Sequence, residues 1–141
     1  MKVTRLARIL PAAALAGLVS ASAAHAASAT DNPEGRWTGT LQCARAAMGC
    51  VDMPVVLQIT SDGHDQSYTA KVTYVAGNAP AAGPSITFFM KPELHTLTAH
   101  YTDFTDRQFW ALRLDGDSLG GVRLVNDHYI DRYVYLTRDK S

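Results

Sequence analysis

The chain has 141 residues, its thirteen Lys and Arg are balanced by thirteen Asp and Glu, and 47% of its residues are hydrophobic. That length favours a single domain behind any leader. Dispersed, balanced charge leaves no basic stripe of the kind nucleic-acid binding requires, so nucleic acid is excluded from the expected partners.

The first 26 residues, "MKVTRLARILPAAALAGLVSASAAHA", place Lys2, Arg5 and Arg8 ahead of an apolar run from Ile9 to Val19 and close on Ala24-His25-Ala26. This is the pattern of a secretory signal peptide cut after Ala26. The apolar run is interrupted by Pro11 and Gly17, and it falls well short of the roughly 20 residues that a membrane span takes. No Cys follows it closely, so neither a membrane anchor nor a lipid anchor is expected. The expected destination is the periplasm or the medium. Loss of the leader removes three basic residues and no acidic ones, which leaves ten basic against thirteen acidic residues in the mature chain.

Residues 27–34, "ASATDNPE", read as a flexible N-terminal segment, and residues 35–141 as one β domain. Gly35–Cys43 alternates Trp37, Gly39, Leu41 and Cys43 against Arg36, Thr38, Thr40 and Gln42, the period of a half-buried strand. The next stretch, "CARAAMGC", contains the only two cysteines, Cys43 and Cys50. In an exported protein such a pair is most simply a disulfide. The spacing is not C-x-x-C and no Cys or His cluster stands nearby, so a redox pair or a metal pair has no support.

Val55–Thr60 is the second strand, with Pro54 at its start where a missing N–H is tolerated. "SDGHDQ" turns the chain, and Ser67–Val75 then sets Tyr68, Ala70, Val72 and Tyr74 on one side. Ala76–Pro84, "AGNAPAAGP", reads as an irregular loop. Ser85–Met90, Leu94–Tyr101, Arg107–Leu114, Leu119–Asn126 and Tyr129–Arg138 follow as strands, and Asp115-Gly116 between two alternating runs is a hairpin signal. Eight strands joined by short turns ask for an all-β antiparallel meander. Eight is also a number at which a meander closes into an up-and-down barrel and removes its exposed edges.

"GRWTGTL" resembles the first strand of the calycin superfamily, the lipocalin-like and avidin-like barrels. The resemblance implies that Trp37 and Gly35 are the Trp and Gly of a G-x-W motif, with the indole packed across the closed end of the barrel. It further implies a basic residue over that indole: Arg138, closing "YVYLTR", with Arg132 second. Because Cys43 ends the first strand and Cys50 stands just before "VDMPVVLQI", their bridge is expected to clamp the first hairpin at its loop end, near the N-terminal closure. The chain departs from true lipocalins in being much shorter and in lacking a second motif in mid-barrel. Thr40, Leu41 and Gln42 stand where haem-binding nitrobindin-like barrels continue as G-x-G-x-Y. Small exported bacterial proteins beginning W-x-G-x-L look closer.

No arrangement with chemical function is legible. His95 and His100 are five apart and on one strand face opposite ways. His100, Asp103, Asp127, His128 and Asp131 would form a His/Asp site only if two turns met, and such residues are common in turns for their own backbone hydrogen bonds. Asp115 and Asp117 lack the later ligands of a calcium loop. With no phosphate loop, nucleophile elbow or Cys/His pair, no enzymatic activity, cofactor or metal is expected. The aromatic residues carry the functional expectation. Tyr68, Tyr74, Tyr101, Trp110, Tyr133 and Tyr135 are the candidate ligand-lining set, since Tyr combines an apolar body with a polar tip. On the last strand Tyr129, Asp131, Tyr133 and Tyr135 alternate with Ile130, Arg132, Val134 and Leu136, so neither face is purely apolar and a polar interior is expected there. The functional expectation is a non-enzymatic exported binding barrel for a small apolar or aromatic ligand. The alternative is a factor that contacts a secreted or envelope protein, such as an inhibitor of a protease or lysozyme, using "ASATDNPE" as an arm and "CARAAMGC" as a protruding loop.

Overall fold

The period-two segments become eight antiparallel strands in sequential order: β1 (Gly35–Cys43), β2 (Met53–Ser61), β3 (Ser67–Ala76), β4 (Ala79–Lys91), β5 (Thr96–Asp103), β6 (Asp106–Asp115), β7 (Ser118–Val125) and β8 (Tyr129–Arg138). The computed structural model describes residues 31–45, 49–77 and 79–140. The expected signal peptide, residues 1–26, and the start of the N-terminal segment, residues 27–30, lie outside the described residues. Each strand pairs with its sequence neighbour, and β1 pairs with β8, so the sheet is a closed up-and-down barrel.

Apolar side chains of alternate residues fill the interior. Trp37, Leu57, Ile59, Phe88, Leu97, Trp110, Leu112 and Leu119 are among those with at most 1% of their surface exposed. Phe88 meets Trp110 edge to face at 6.3 Å between ring centroids, a favoured aromatic geometry. From Trp37 to Trp110 the lumen is therefore packed with side chains.

The start of β1, the end of β8 and the β2–β3, β4–β5 and β6–β7 turns gather at one end, with Trp37 inside it. Its indole Nε1 donates to the Pro33 carbonyl at 2.8 Å. The Arg138 guanidinium lies over the ring, Cζ to centroid 4.3 Å, and donates to the carbonyls of Glu34 and, at 2.7 Å, Asn32. Arg138 Nε also faces Asp117 Oδ1 at 3.3 Å. A hydrogen bond from Lys140, together with the positive charge of Lys140 and Arg138, holds the Asp117 carboxyl below its ordinary pKa. One guanidinium thus ties the approach to β1, the end of β8 and the β6–β7 turn around a single indole. Residues 32–34 of the N-terminal segment are pinned to the barrel by these bonds.

Two glycines permit the strands to bend into so small a ring. A Cβ on Gly39 would lie 1.9 Å from the Tyr135 carbonyl oxygen, and one on Gly121 would lie 2.0 Å from that of Ala111. Those approaches exclude any side chain. Gly39, between Trp37 and Leu41 on the inward face, is thus explained by the curvature of β1 against β8.

The Ala76–Pro84 stretch differs from its reading as a loop. β3 and β4 pair from Ser67↔Phe89 to Ala76↔Ala79, with a register shift opposite Lys71–Thr73. The prolines are tolerated because, among the described residues, β4 pairs with β5 only from Phe89↔Thr98 to Lys91↔Thr96. Residues 79–88 therefore need no donors on that side. The bridge clamps the first hairpin at its loop end, but not near the N-terminal closure. Cys43 and Cys50 are joined, with Cα atoms 5.9 Å apart, but Cys43 ends β1, so the bridge stands at the end of the barrel opposite Trp37.

Gly39→Ala and Gly121→Ala should each destabilise the fold by about 2–4 kcal/mol, whereas Gly120→Ala, whose Cβ would make only an ordinary contact at 3.5 Å, should stay within about 0.5 kcal/mol. Urea denaturation midpoints measure this difference. Arg138→Ala should cost about 2–4 kcal/mol through the lost cation–π contact and the carbonyls left without donors, against almost nothing for the exposed Arg113→Ala. Equal melting points for the two variants would remove Arg138 from the closure.

Candidate functional site

The end opposite Trp37 is polar inside. Here β3, β5 and β6 direct Tyr74, Tyr101 and Gln108 inward, and β7 and β8 direct Arg123 and Arg132, which are register partners. Each of the two arginine side chains is only 12% exposed. Trp110 lies beneath them, fully buried, with the Arg123 guanidinium 5.5 Å from its ring centroid and its Nε1 bonded to Gln108 Oε1 at 3.4 Å.

A backbone irregularity brings the counter-charge into this cluster. β7 and β8 pair Arg123 with Arg132 but Leu124 with Ile130, leaving Asp131 as an extra residue on β8. Such a bulge re-aims a side chain that strict alternation would send to the other face. Asp131 consequently leaves the tyrosine face on which alternation places it and accepts two bonds from Arg123, one from Nε at 3.0 Å and one from Nη2. A bidentate guanidinium–carboxylate pair of this kind is strong and geometrically specific. Arg132 donates through Nη1 to the Val51 carbonyl. Its Nε is buried without a hydrogen-bond partner, 3.9 Å from the nearer Asp131 oxygen.

Tyr74 packs across β4, where its ring leaves no room for a Cβ on Gly83. Burial pushes its phenol pKa up, Tyr101 and Asp103 push the same way, and the Arg123 and Arg132 charges oppose them. Tyr74 is therefore a neutral hydroxyl at ordinary pH. A mainly apolar cleft of about 450 Å³ lies at the start of β2 and the end of β3, lined by Val51, Asp52, Met53, Pro54, Val75, Ala76 and Gly77, and it adjoins the cluster through Val51. Val51 belongs both to this cleft and to the Arg132 contact.

The six aromatic residues singled out from the sequence fall into three places. Tyr74, Tyr101 and Trp110 converge on this end. Tyr68 faces inward at the opposite end of β3, where burial, Glu34 and Asp65 raise its phenol pKa. Tyr133 and Tyr135 point outward, 39% and 57% exposed; Tyr135 flanks a groove of about 310 Å³ over Gly120 on the outer wall. The polar interior expected along β8 is confined to its first residues, since Val134 and Leu136 are buried core. Arg123 is not singled out by the sequence reading, and Asp131 only as a member of the His/Asp site. An Arg in a strand otherwise apolar on its inward face was the available signal, and the bulge at Asp131 has none.

The imagined His/Asp site does not assemble. Asp127 pairs with Arg107 at 3.1 Å, His100 packs on Phe109 and Asp131 is bound to Arg123. Among the described residues, no three His, Cys, Asp or Glu side chains come together to hold a metal ion. No described helix is long and apolar enough to cross a membrane. Comparison with protein-family models, with curated proteins and with solved structures finds no match.

The disulfide braces this end. It fixes the return from β1 to β2, where Asp52 accepts from the Cys43 N–H at 2.8 Å and Val51 holds Arg132. Closing so short a loop contributes about 2–3 kcal/mol. Reduction should lower the melting temperature by roughly 8–15 °C while circular dichroism still reports a folded barrel at 25 °C. Complete unfolding on reduction would show that the core does not sustain the barrel alone.

Proposed function

We propose that the mature chain is an exported, non-enzymatic, calycin-like barrel that binds a small apolar or aromatic molecule at the end of the barrel opposite Trp37. The observation that carries this reading is the convergence of Tyr74, Tyr101, Arg123 and Arg132 beside the apolar cleft of about 450 Å³, a size within the usual range for small-molecule sites. Packing of the lumen from Trp37 to Trp110 makes this a shallow site and leaves Trp110 as its buried floor. Trp37 beneath Arg138 supports the calycin-like assignment. The Cys43–Cys50 bridge supports an oxidising compartment, and with it export by the leader.

A second reading, contact with a secreted or envelope protein, is favoured by Phe104. This residue is fully exposed at the tip of the β5–β6 turn, with φ of 35°, a conformation that costs a bulky side chain and is often found at functional sites.

Titration with the neutral fluorophore N-phenyl-1-naphthylamine separates the two readings. Saturable one-to-one binding is expected, weakened about tenfold or more by Tyr74→Ala or Tyr101→Ala and unchanged by Tyr68→Ala at the other end. Absence of saturable binding, or equal loss in all three variants, would move the function to the Phe104 rim.

A further inference from the structure

Within ion-pair distance the two guanidiniums at the ligand end meet one carboxylate, Asp131, while Asp52 stands on the cleft wall bonded to the Cys43 N–H. Arg123 takes both oxygens of Asp131. Among the described residues, Arg132 reaches that carboxylate only at 3.9 Å, donates to a neutral carbonyl, and keeps a buried Nε without a hydrogen-bond partner. Two guanidiniums therefore share one carboxylate in a setting where each side chain is only 12% exposed. A guanidinium cannot escape the cost of burial by releasing its proton, so the uncompensated charge persists at every ordinary pH. Such a charge is costly unless a counter-charge meets it.

The position of that charge matters as much as its sign. The carbonyl that holds Arg132 belongs to Val51, the first residue of the cleft, and Tyr74, inward of the cleft residue Val75, is close enough to Tyr101 and Arg132 for their charges to act on its phenol. Apolar surface, two phenol groups and an incompletely paired cation thus stand side by side. We propose that the ligand is an aromatic anion, a small ring compound bearing one carboxylate or sulfonate group. Its ring lies at the mouth between the Val51 side of the cleft and Tyr74, and its oxygens pair with Arg132. The proposal rests on the reading of this end as a ligand site and adds the ligand's charge and the residue that reads it.

The test uses two fluorophores that share a skeleton and differ in one group: 1-anilinonaphthalene-8-sulfonate and N-phenyl-1-naphthylamine. With the oxidised mature protein, the sulfonate should bind about tenfold or more tightly than the amine, the margin expected of a charge-assisted hydrogen bond. Arg132→Gln should reduce that margin, read as the ratio of sulfonate to amine affinity within the same variant, to about twofold or less. Asp131→Asn should have the opposite sign and tighten the sulfonate several-fold, a gain that misfolding does not produce. The exposed Arg113→Gln should keep the full margin. Equal binding of both probes to the wild-type protein would overturn the anion proposal and leave the ligand site standing; binding of neither would overturn both. A margin retained in Arg132→Gln would overturn the assignment to that residue. If Arg132→Gln does not fold, failure of Asp131→Asn to tighten the sulfonate decides against the proposal.

Discussion

The rest of the barrel depends on the contact between Arg138 and Trp37. An up-and-down meander has two free edges until its first and last strands meet, and unpaired edges carry unsatisfied backbone groups that invite association. Here the last residue of β8 covers the first large side chain of β1, and the same guanidinium bonds to the carbonyls of Asn32 and Glu34. The contact is non-local, about a hundred residues apart in the chain. It rewards closure only once the intervening strands are in register, which makes it a check on the completed ring. Gly39 and Gly121 allow that ring to be tight enough for one indole to fill its end.

The opposite end follows a different physical rule. Where Trp37 seals apolar surface with a fully engaged cation, Arg123, Asp131 and Arg132 place charge inside the mouth with one donor unmet. Hydrophobic side chains of similar volume would commonly serve stability as well or better at such positions. A barrel that keeps one end sealed and the other end charged has a direction, and the disulfide stands at the charged end, where the β1–β2 return must hold Val51 against Arg132.

Strand existence and order were legible because period-two alternation and Asp-Gly turn chemistry are local properties. The Trp37–Arg138 contact followed from a resemblance carried by "GRWTGTL", and the cysteine bridge from an expected leader and the close spacing of the pair. Which face a residue occupies was less legible, because one bulge inverts the parity of everything beyond it. Asp131 is the clearest case: alternation groups it with Tyr133 and Tyr135, and the extra residue on β8 turns it to Arg123 instead. The tyrosines were dispersed for a related reason. Residue type gives an aromatic side chain its affinity for a half-wet surface, but Tyr68 and Tyr74 lie on the same face of β3 at opposite ends of the barrel. The Ala76–Pro84 stretch reads as a loop by composition, because whether a proline is tolerated depends on which neighbour a strand lacks, and that is a property of the assembled sheet.

The short ladder between β4 and β5 gives the closed ring one weak joint. Every other neighbour is stitched over most of a strand's length, whereas this pair is held from Phe89 to Lys91 and then diverges. Local opening in a folded protein begins where the fewest backbone hydrogen bonds must break. In this barrel that place is the upper part of the β4–β5 seam, beside Tyr101 and the β4 segment on which Tyr74 packs. Any local opening of the wall is thus expected to be a sideways parting of these two strands. The prolines at positions 80 and 84 keep the parted edge from serving as a template for another chain.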